Sequence, residues 1–145
     1  MSDLTLATAQ KIAAGAIAFG REKKLMLLAV AVLDARGALK SFSAEDGTSL
    51  KRGEIAIGKA SAALAFGMGT RSINKMAKDR PYFINSVTAA VGGSFVPVPG
   101  GVLIKSSHGD LLGAVGISGD VSDNDEAAAI AGIQGAGLTA DPGKD

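Results

Sequence analysis

The apolar positions along the chain predict a helix followed by a hairpin. From Thr5 to Gly20 they recur every three or four residues, which is typical of an amphipathic helix, and Thr5 is its expected N-cap. The continuous apolar run from Leu27 to Leu33 predicts a buried strand. Turn-forming residues at Asp34 to Gly37, followed by Leu39 to Ala44, predict the returning strand of a hairpin.

Helical periodicity returns in the middle of the chain. It predicts one helix over Ser49 to Phe66 and a shorter one from Thr70 to about Lys78, which ends before Pro81 because residues preceding proline avoid helical angles. The segment from Tyr82 to Val91 is ambiguous and is interpreted as one helical turn and a loop. The next ten residues, Gly92 to Gly101, contain four glycines and two prolines and predict an irregular connection.

The last third predicts a second hairpin and a final helix. The hairpin strands are Val102 to Ser106 and Asp110 to Ser118, and the helix runs from Ser122 to about Gly137, with Ser122 and Asp125 approximating a capping box. The tail from Thr139 to Asp145 is expected to fray. Two hairpins separated by helices predict an α+β fold, in which a central antiparallel sheet of about five strands is flanked by helices. We expect residues 1–145 to form a single domain.

Composition and charge narrow the function classes. Fifteen basic and fourteen acidic residues give a net charge of +1, which predicts no nucleic-acid partner. The chain has no cysteine, so disulfides and thiolate metal sites are excluded, and no other metal-ligand pattern is present. No signal-peptide pattern and no apolar run of about 20 residues occur, which predicts a cytoplasmic protein without membrane contacts. Aromatic residues are scarce and 20 glycines are present, so helix faces are expected to pack against further copies in a homo-oligomer.

Five strings, in order along the chain, resemble the GlcG/HbpS-like family, which includes the C-terminal domain of PduO-type proteins. They are LTLATAQ from Leu4, AVAVLDARG from Ala29, GKASAALAFGMGT from Gly58, PGGVLI from Pro99 and LLGAVGISGDVSDNDE from Leu111. The resemblance implies an α+β fold with an antiparallel sheet, assembled into oligomers. It also implies one of two functions: several members bind or degrade heme, and others resemble lyases acting on hydroxylamino-aromatic acids.

The resemblance implies that heme binding in this family uses histidine as an axial ligand, and this chain departs from that pattern. The only histidine here is His108, in a predicted hairpin turn. Ligation of iron by Tyr82 or by a methionine is conceivable but less usual. We therefore expect no cofactor, with heme as the alternative.

Two cations in the Ser49–Phe66 helix lead the candidate site. Arg52 and Lys59 are seven residues apart and so lie on nearly the same helix face. Arg52 is expected to anchor a carboxylate and Lys59 to transfer a proton, although a solvated face is an equal alternative. Glu126, at the start of the last helix, is the expected general base, with simple helix capping as its alternative.

The remaining candidates surround this pair. Phe95, Gly100 and Gly101 lie in the irregular segment, where glycine N–H groups can approach an anion closely, or where the loop only needs flexible geometry. Tyr82 is either a substrate-facing wall or part of the core. His108 is either an exposed turn residue or a proton shuttle that reaches a neighbouring subunit.

Together with what the resemblance implies, these residues predict a cofactor-independent catabolic enzyme of the lyase, hydratase or isomerase type. Its substrate would be a small anionic metabolite, such as an aromatic carboxylate or a hydroxylamino-aromatic acid. The alternatives are a protein that binds heme or another tetrapyrrole, and an accessory oligomeric protein of a catabolic operon.

Overall fold

The computed structural model describes residues 3–145, which form a five-stranded antiparallel sheet with helices on both faces. The helices are α1 (Leu6–Glu22), α2 (Arg52–Phe66), α3 (Thr70–Asp79), α4 (Pro81–Ala90) and α5 (Ser122–Gly135). The strands are β1 (Ala29–Asp34), β2 (Leu39–Ala44), β3 (Gly101–Lys105), β4 (Leu111–Ser118) and β5 (Thr139–Asp141). The predicted α+β class is confirmed.

The strands lie in the order β2-β1-β4-β3-β5, and every neighbouring pair is antiparallel. The two predicted hairpins are β1–β2 and β3–β4, and they join through β1 and β4. Strand β4 is therefore central. Its last residue, Ser118, lies at the end of the strands where α2 begins and where the chain turns into α5.

The two faces of the sheet differ in side-chain size. Alternate strand residues facing α1 and α5 are large, and they form the main core. Apart from Leu33 and Leu103, those facing α2 are small: a Cβ on Gly116 would lie 1.8 Å from the Ala56 carbonyl oxygen. Small residues thus let α2 lie directly on the sheet, so much of the glycine and alanine is used within the chain itself.

Helix α4 is longer than the single turn predicted for this segment. It runs from Pro81 to Ala90, and Pro81 occupies its first turn, where a missing N–H costs nothing. Its inner side chain Ile84 is buried in a cluster with Ile73 and Phe95. Tertiary packing, which the local pattern does not report, therefore completes the helix.

The C-terminal tail is ordered, and the expectation that it frays was wrong. Residues Thr139 to Asp141 pair with β3 and supply the fifth strand, and the Lys105 ammonium binds the Asp141 carboxylate at 2.8 Å. The predicted capping box of Ser122 is also wrong, because Ser122 already lies inside α5 and makes no cap. Instead Asp120 accepts from the Val121 N–H, and Asp125 accepts from the Asp120 N–H at 2.9 Å.

Candidate functional site

Arg52 lies at the start of α2, over the carboxyl end of β4. Its Nη1 donates a hydrogen bond to the buried hydroxyl of Ser118 at 3.2 Å. By contrast, Arg21, Arg36 and Arg71 each bind at least one carboxylate. Within residues 3–145, no carboxylate oxygen lies within 4.0 Å of the Arg52 guanidinium. Arg52 is half-buried and keeps several N–H donors for a ligand.

Lys59 lies two turns further along the same helix face but is only 2% exposed. Its Nζ donates to the Ile117 carbonyl at 2.8 Å and to the Asp125 carboxylate at 3.1 Å. Burial lowers the pKa of Lys59 and raises that of Asp125, and the attraction within the pair only partly offsets both shifts. The two cations therefore have different surroundings: Arg52 faces a cavity, while Lys59 joins α2 to α5 in the interior.

The acid that meets Lys59 is Asp125, which the sequence reasoning did not select. Glu126 lies one residue further on, and its two carboxylate oxygens instead share one bifurcated hydrogen bond from the Arg71 Nε–H, at 3.0 and 3.3 Å. Arg71 also binds Asp123 and Asp145. Adjacent helix residues point about 100° apart, so the choice between Asp125 and Glu126 depended on the rotation of α5, which no local pattern fixes.

The irregular segment before β3 packs beneath α2. A Cβ on Gly100 would lie 2.8 Å from the Lys59 Nζ, and one on Gly101 would lie 2.3 Å from the Lys59 carbonyl oxygen. The Gly101 N–H already donates to the Thr70 hydroxyl at 2.7 Å. Phe95 is buried against Phe66, with ring centroids 5.4 Å apart. The structure thus puts these three predicted ligand contacts in internal packing around Lys59 and Phe66.

Tyr82 and His108 are both exposed at the surface. Tyr82, on α4, is 85% exposed. His108 is exposed in the β3–β4 turn, which precedes β4, whereas Ser118 ends that strand. Eight residues at roughly 3.3 Å each separate the two ends by more than 20 Å, so His108 and Arg52 of one chain do not meet.

A cavity of about 290 Å³ opens beside Arg52. Its lining residues are Met26, Leu27, Gly47, Thr48, Ser49, Arg52 and Gly119. Met26 is 68% exposed, and Leu27 is also exposed. Two further exposed apolar residues lie close to the lining residues in the sequence: Leu50 directly follows Ser49, and Val121 is two residues after Gly119. The site therefore combines one unpaired cation with exposed apolar side chains.

The segment carrying Met26 is fixed by hydrogen bonds from three sides. The Met26 N–H donates to the Asp120 carboxylate at 2.7 Å, and the Met26 carbonyl accepts from the Arg21 guanidinium at 3.0 Å. The Leu28 N–H donates to Glu45 at 2.9 Å. Hydrogen bonds from the Met26 N–H, the Asn124 side chain and the Val121 N–H, with Met26 first, hold the pKa of Asp120 below its usual value. The backbone is thus held in place while the Met26 side chain points outward.

The arrangement of residues 3–145 also bears on metal ions and membranes. No group of three or more histidine, cysteine, aspartate or glutamate side chains is arranged to hold a metal ion. No helix in this range is long and apolar enough to cross a bilayer.

Comparison with known proteins assigns the chain to a family. Three crystal structures share the fold: a PduOC:heme complex (TM-score 0.84, 21% identity, covering 94% of this chain and 97% of the other), the Klebsiella pneumoniae protein ORFY (0.84, 21%, 94% and 93%) and HbpS (0.78, 25%, 92% and 90%). Comparison with curated protein sequences gave no significant match. The family model described as "Haem degrading protein HbpS-like" matches residues 4–134. The chain therefore belongs to the HbpS-like family, as its sequence strings indicated.

Proposed function

We propose that this protein binds heme, and that the Arg52 guanidinium contacts a heme propionate. Membership of the HbpS-like family supports heme as the ligand. The observation that carries the role of Arg52 is its half-buried guanidinium, which lines a cavity and has no carboxylate partner within residues 3–145.

The physical argument rests on the combination of charge and apolar surface. A guanidinium can bind a carboxylate through two parallel hydrogen bonds, and such charge-assisted bonds are the strong ones. The cavity of about 290 Å³ is too small to enclose a macrocycle, so it would receive a propionate. The exposed side chains of Met26 and Leu27 beside it would contact the apolar ring.

The residues around the cavity fit heme in a second respect. Met26 offers a thioether, one of the side chains that ligate heme iron in proteins. Bound heme would supply the redox chemistry of its iron, and this chain would supply binding and orientation. Arg52 is oriented for that purpose by Ser118, whose hydroxyl accepts a hydrogen bond from the Arg52 guanidinium.

Titration with hemin, followed by the Soret band, tests the proposal. Removing a charge-assisted hydrogen bond costs about 1.5–3 kcal/mol, so Arg52→Ala is expected to weaken binding about 10- to 100-fold. Arg36→Ala is the matched control, because Arg36 is exposed in the β1–β2 turn at the opposite end of the sheet. A wild-type protein that gives no Soret shift would refute heme binding. Equal affinities of the wild type and Arg52→Ala would refute the role of Arg52.

A small carboxylated metabolite is the second candidate ligand. The cavity volume of about 290 Å³ is near the lower limit of small-molecule pockets, and Arg52 would bind its carboxylate. Lyase-type chemistry has less support, because Lys59 is buried in internal contacts and Glu126 binds Arg71. A thermal-shift experiment with benzoate distinguishes the ligands: benzoate should raise the melting temperature of the wild type but not that of Arg52→Ala.

A further inference from the structure

We propose that the Met26 thioether is the ligand that this chain gives to the heme iron, and that it ligates the iron mainly in the ferrous state. This inference rests on the heme binding proposed above.

The position of each candidate donor favours Met26. The side chains that ligate heme iron are histidine, cysteine, methionine and tyrosine. The chain has no cysteine, and neither His108 nor Tyr82 lines the cavity beside Arg52. Among the methionines of residues 3–145, Met68 and Met76 pack against the cluster around Ile73, whereas Met26 lines the Arg52 cavity. Met26 is thus the donor that shares a cavity with the proposed propionate anchor.

The Met26 backbone is held more firmly than an exposed residue requires. Its N–H and its carbonyl are both bound by charged side chains, Asp120 and Arg21. Behind it, a Cβ on Gly119 would lie 2.1 Å from the Leu27 carbonyl oxygen, so the β4–α5 turn packs directly on this segment. A fixed backbone under an exposed thioether reduces the entropy lost when the sulfur binds iron. This arrangement is typical of a preorganised ligand rather than of a surface methionine in a mobile loop.

The chemistry of the thioether predicts the oxidation state. Sulfur in methionine is soft and uncharged, so it binds ferrous iron better than ferric iron and raises the reduction potential of the heme. Ferrous heme with one axial ligand is five-coordinate and high-spin, so the expected signature is a raised reduction potential, with the ferric iron bound more weakly by Met26. Histidine binds both states, so a histidine at position 26 should lower the reduction potential below that of the wild type if the iron lies within reach.

The experiment compares Met26→Leu and Met26→His with the wild type, and Met68→Leu serves as the control methionine. Each protein is loaded with hemin, reduced with dithionite and examined by absorption spectroscopy and redox titration. Met26→Leu should change the ferrous spectrum and shift the potential to a lower value, while Met26→His should change the ferric spectrum and also lower the potential. Met68→Leu should match the wild type.

Binding of iron-free protoporphyrin IX separates ligation from simple contact. Its affinity should be unchanged in Met26→Leu, because no metal–sulfur bond is involved, and should fall in Arg52→Ala. Unchanged ferrous spectra in Met26→Leu, or an equal loss of hemin and protoporphyrin IX binding, would overturn ligation by Met26. The proposed function would then still stand if Arg52→Ala weakens binding. It would fail separately if the wild type bound neither molecule.

Discussion

Replacement of Lys59 by methionine tests whether the buried ion pair joining α2 to α5 has the energetics that the structure implies. Methionine keeps most of the aliphatic stem, so the packing against Gly100 changes little. The substitution leaves the Asp125 carboxylate buried without a cation and the Ile117 carbonyl without its donor. Breaking a buried pair in this way costs about 3–5 kcal/mol. Domains of this size are stable by about 5–15 kcal/mol, so the variant should still fold.

The pH dependence of the same variant gives a sharper test. Burial already raises the pKa of Asp125, and Lys59 partly offsets that effect. Without Lys59, the folded-state pKa should rise further above the unfolded value. A group with a raised folded-state pKa stabilises the fold below its unfolded pKa, and that stabilisation is lost as the pH rises through the folded value. The loss of stability relative to the wild type should therefore be smaller at about pH 5 than at about pH 8.

Urea denaturation followed by far-UV circular dichroism measures both effects. Lys51→Met is the matched control, because Lys51 forms an exposed pair with Glu54 on the same helix and exposed pairs contribute only about 0–1 kcal/mol. The reasoning would be refuted if Lys59→Met were no less stable than Lys51→Met. It would also be refuted if the difference from the wild type were the same at both pH values.

Two further predictions concern stability and use the same measurement. Gly116→Ala should prevent folding or cost several kcal/mol, because its Cβ would clash with the Ala56 carbonyl oxygen. Its control is Gly135→Ala, which has open space around it and should stabilise α5 by about 0.5–1 kcal/mol. Equal stabilities of the two variants would contradict the close approach of α2 to the sheet. Removing residues 139–145 should lower the urea midpoint, because β3 loses its partner strand and Lys105 loses Asp141; an unchanged midpoint would mean that β5 contributes nothing to stability.

The sheet was predictable because its strands carry strong local signals. The β1–β2 turn has Asp34 accepting from the Arg36 and Ala38 N–H groups, as expected of an aspartate at that position. Similarly, Thr5 caps α1 by accepting from the Thr8 N–H. Strand β5 has no comparable signal, because only three residues pair and their order depends on β3, which lies 34 residues or more earlier in the chain.

The candidate site was predictable only in part, because its contacts join distant segments. The heptad spacing of Arg52 and Lys59 predicted a shared helix face, and both side chains do lie toward the carboxyl end of β4. Spacing does not report depth, however, and one cation is buried while the other lines a cavity. Met26 was not predicted as a candidate because it directly adjoins the apolar run from Leu27 to Leu33 and has no pattern of its own. Its position depends on Asp120, which is 94 residues away.

The turn between β4 and α5, which carries Asp120, links the buried ion pair to the proposed heme site. Asp125 accepts from the Asp120 N–H, and Asp120 in turn accepts from the Met26 N–H. Lys59 therefore reaches the cavity indirectly: it fixes Asp125, which fixes the turn that supports Met26. Arg52 depends on the same end of β4 through Ser118. Because both proposed heme contacts rest on the end of one central strand, the interior pair orients a site that it does not itself touch.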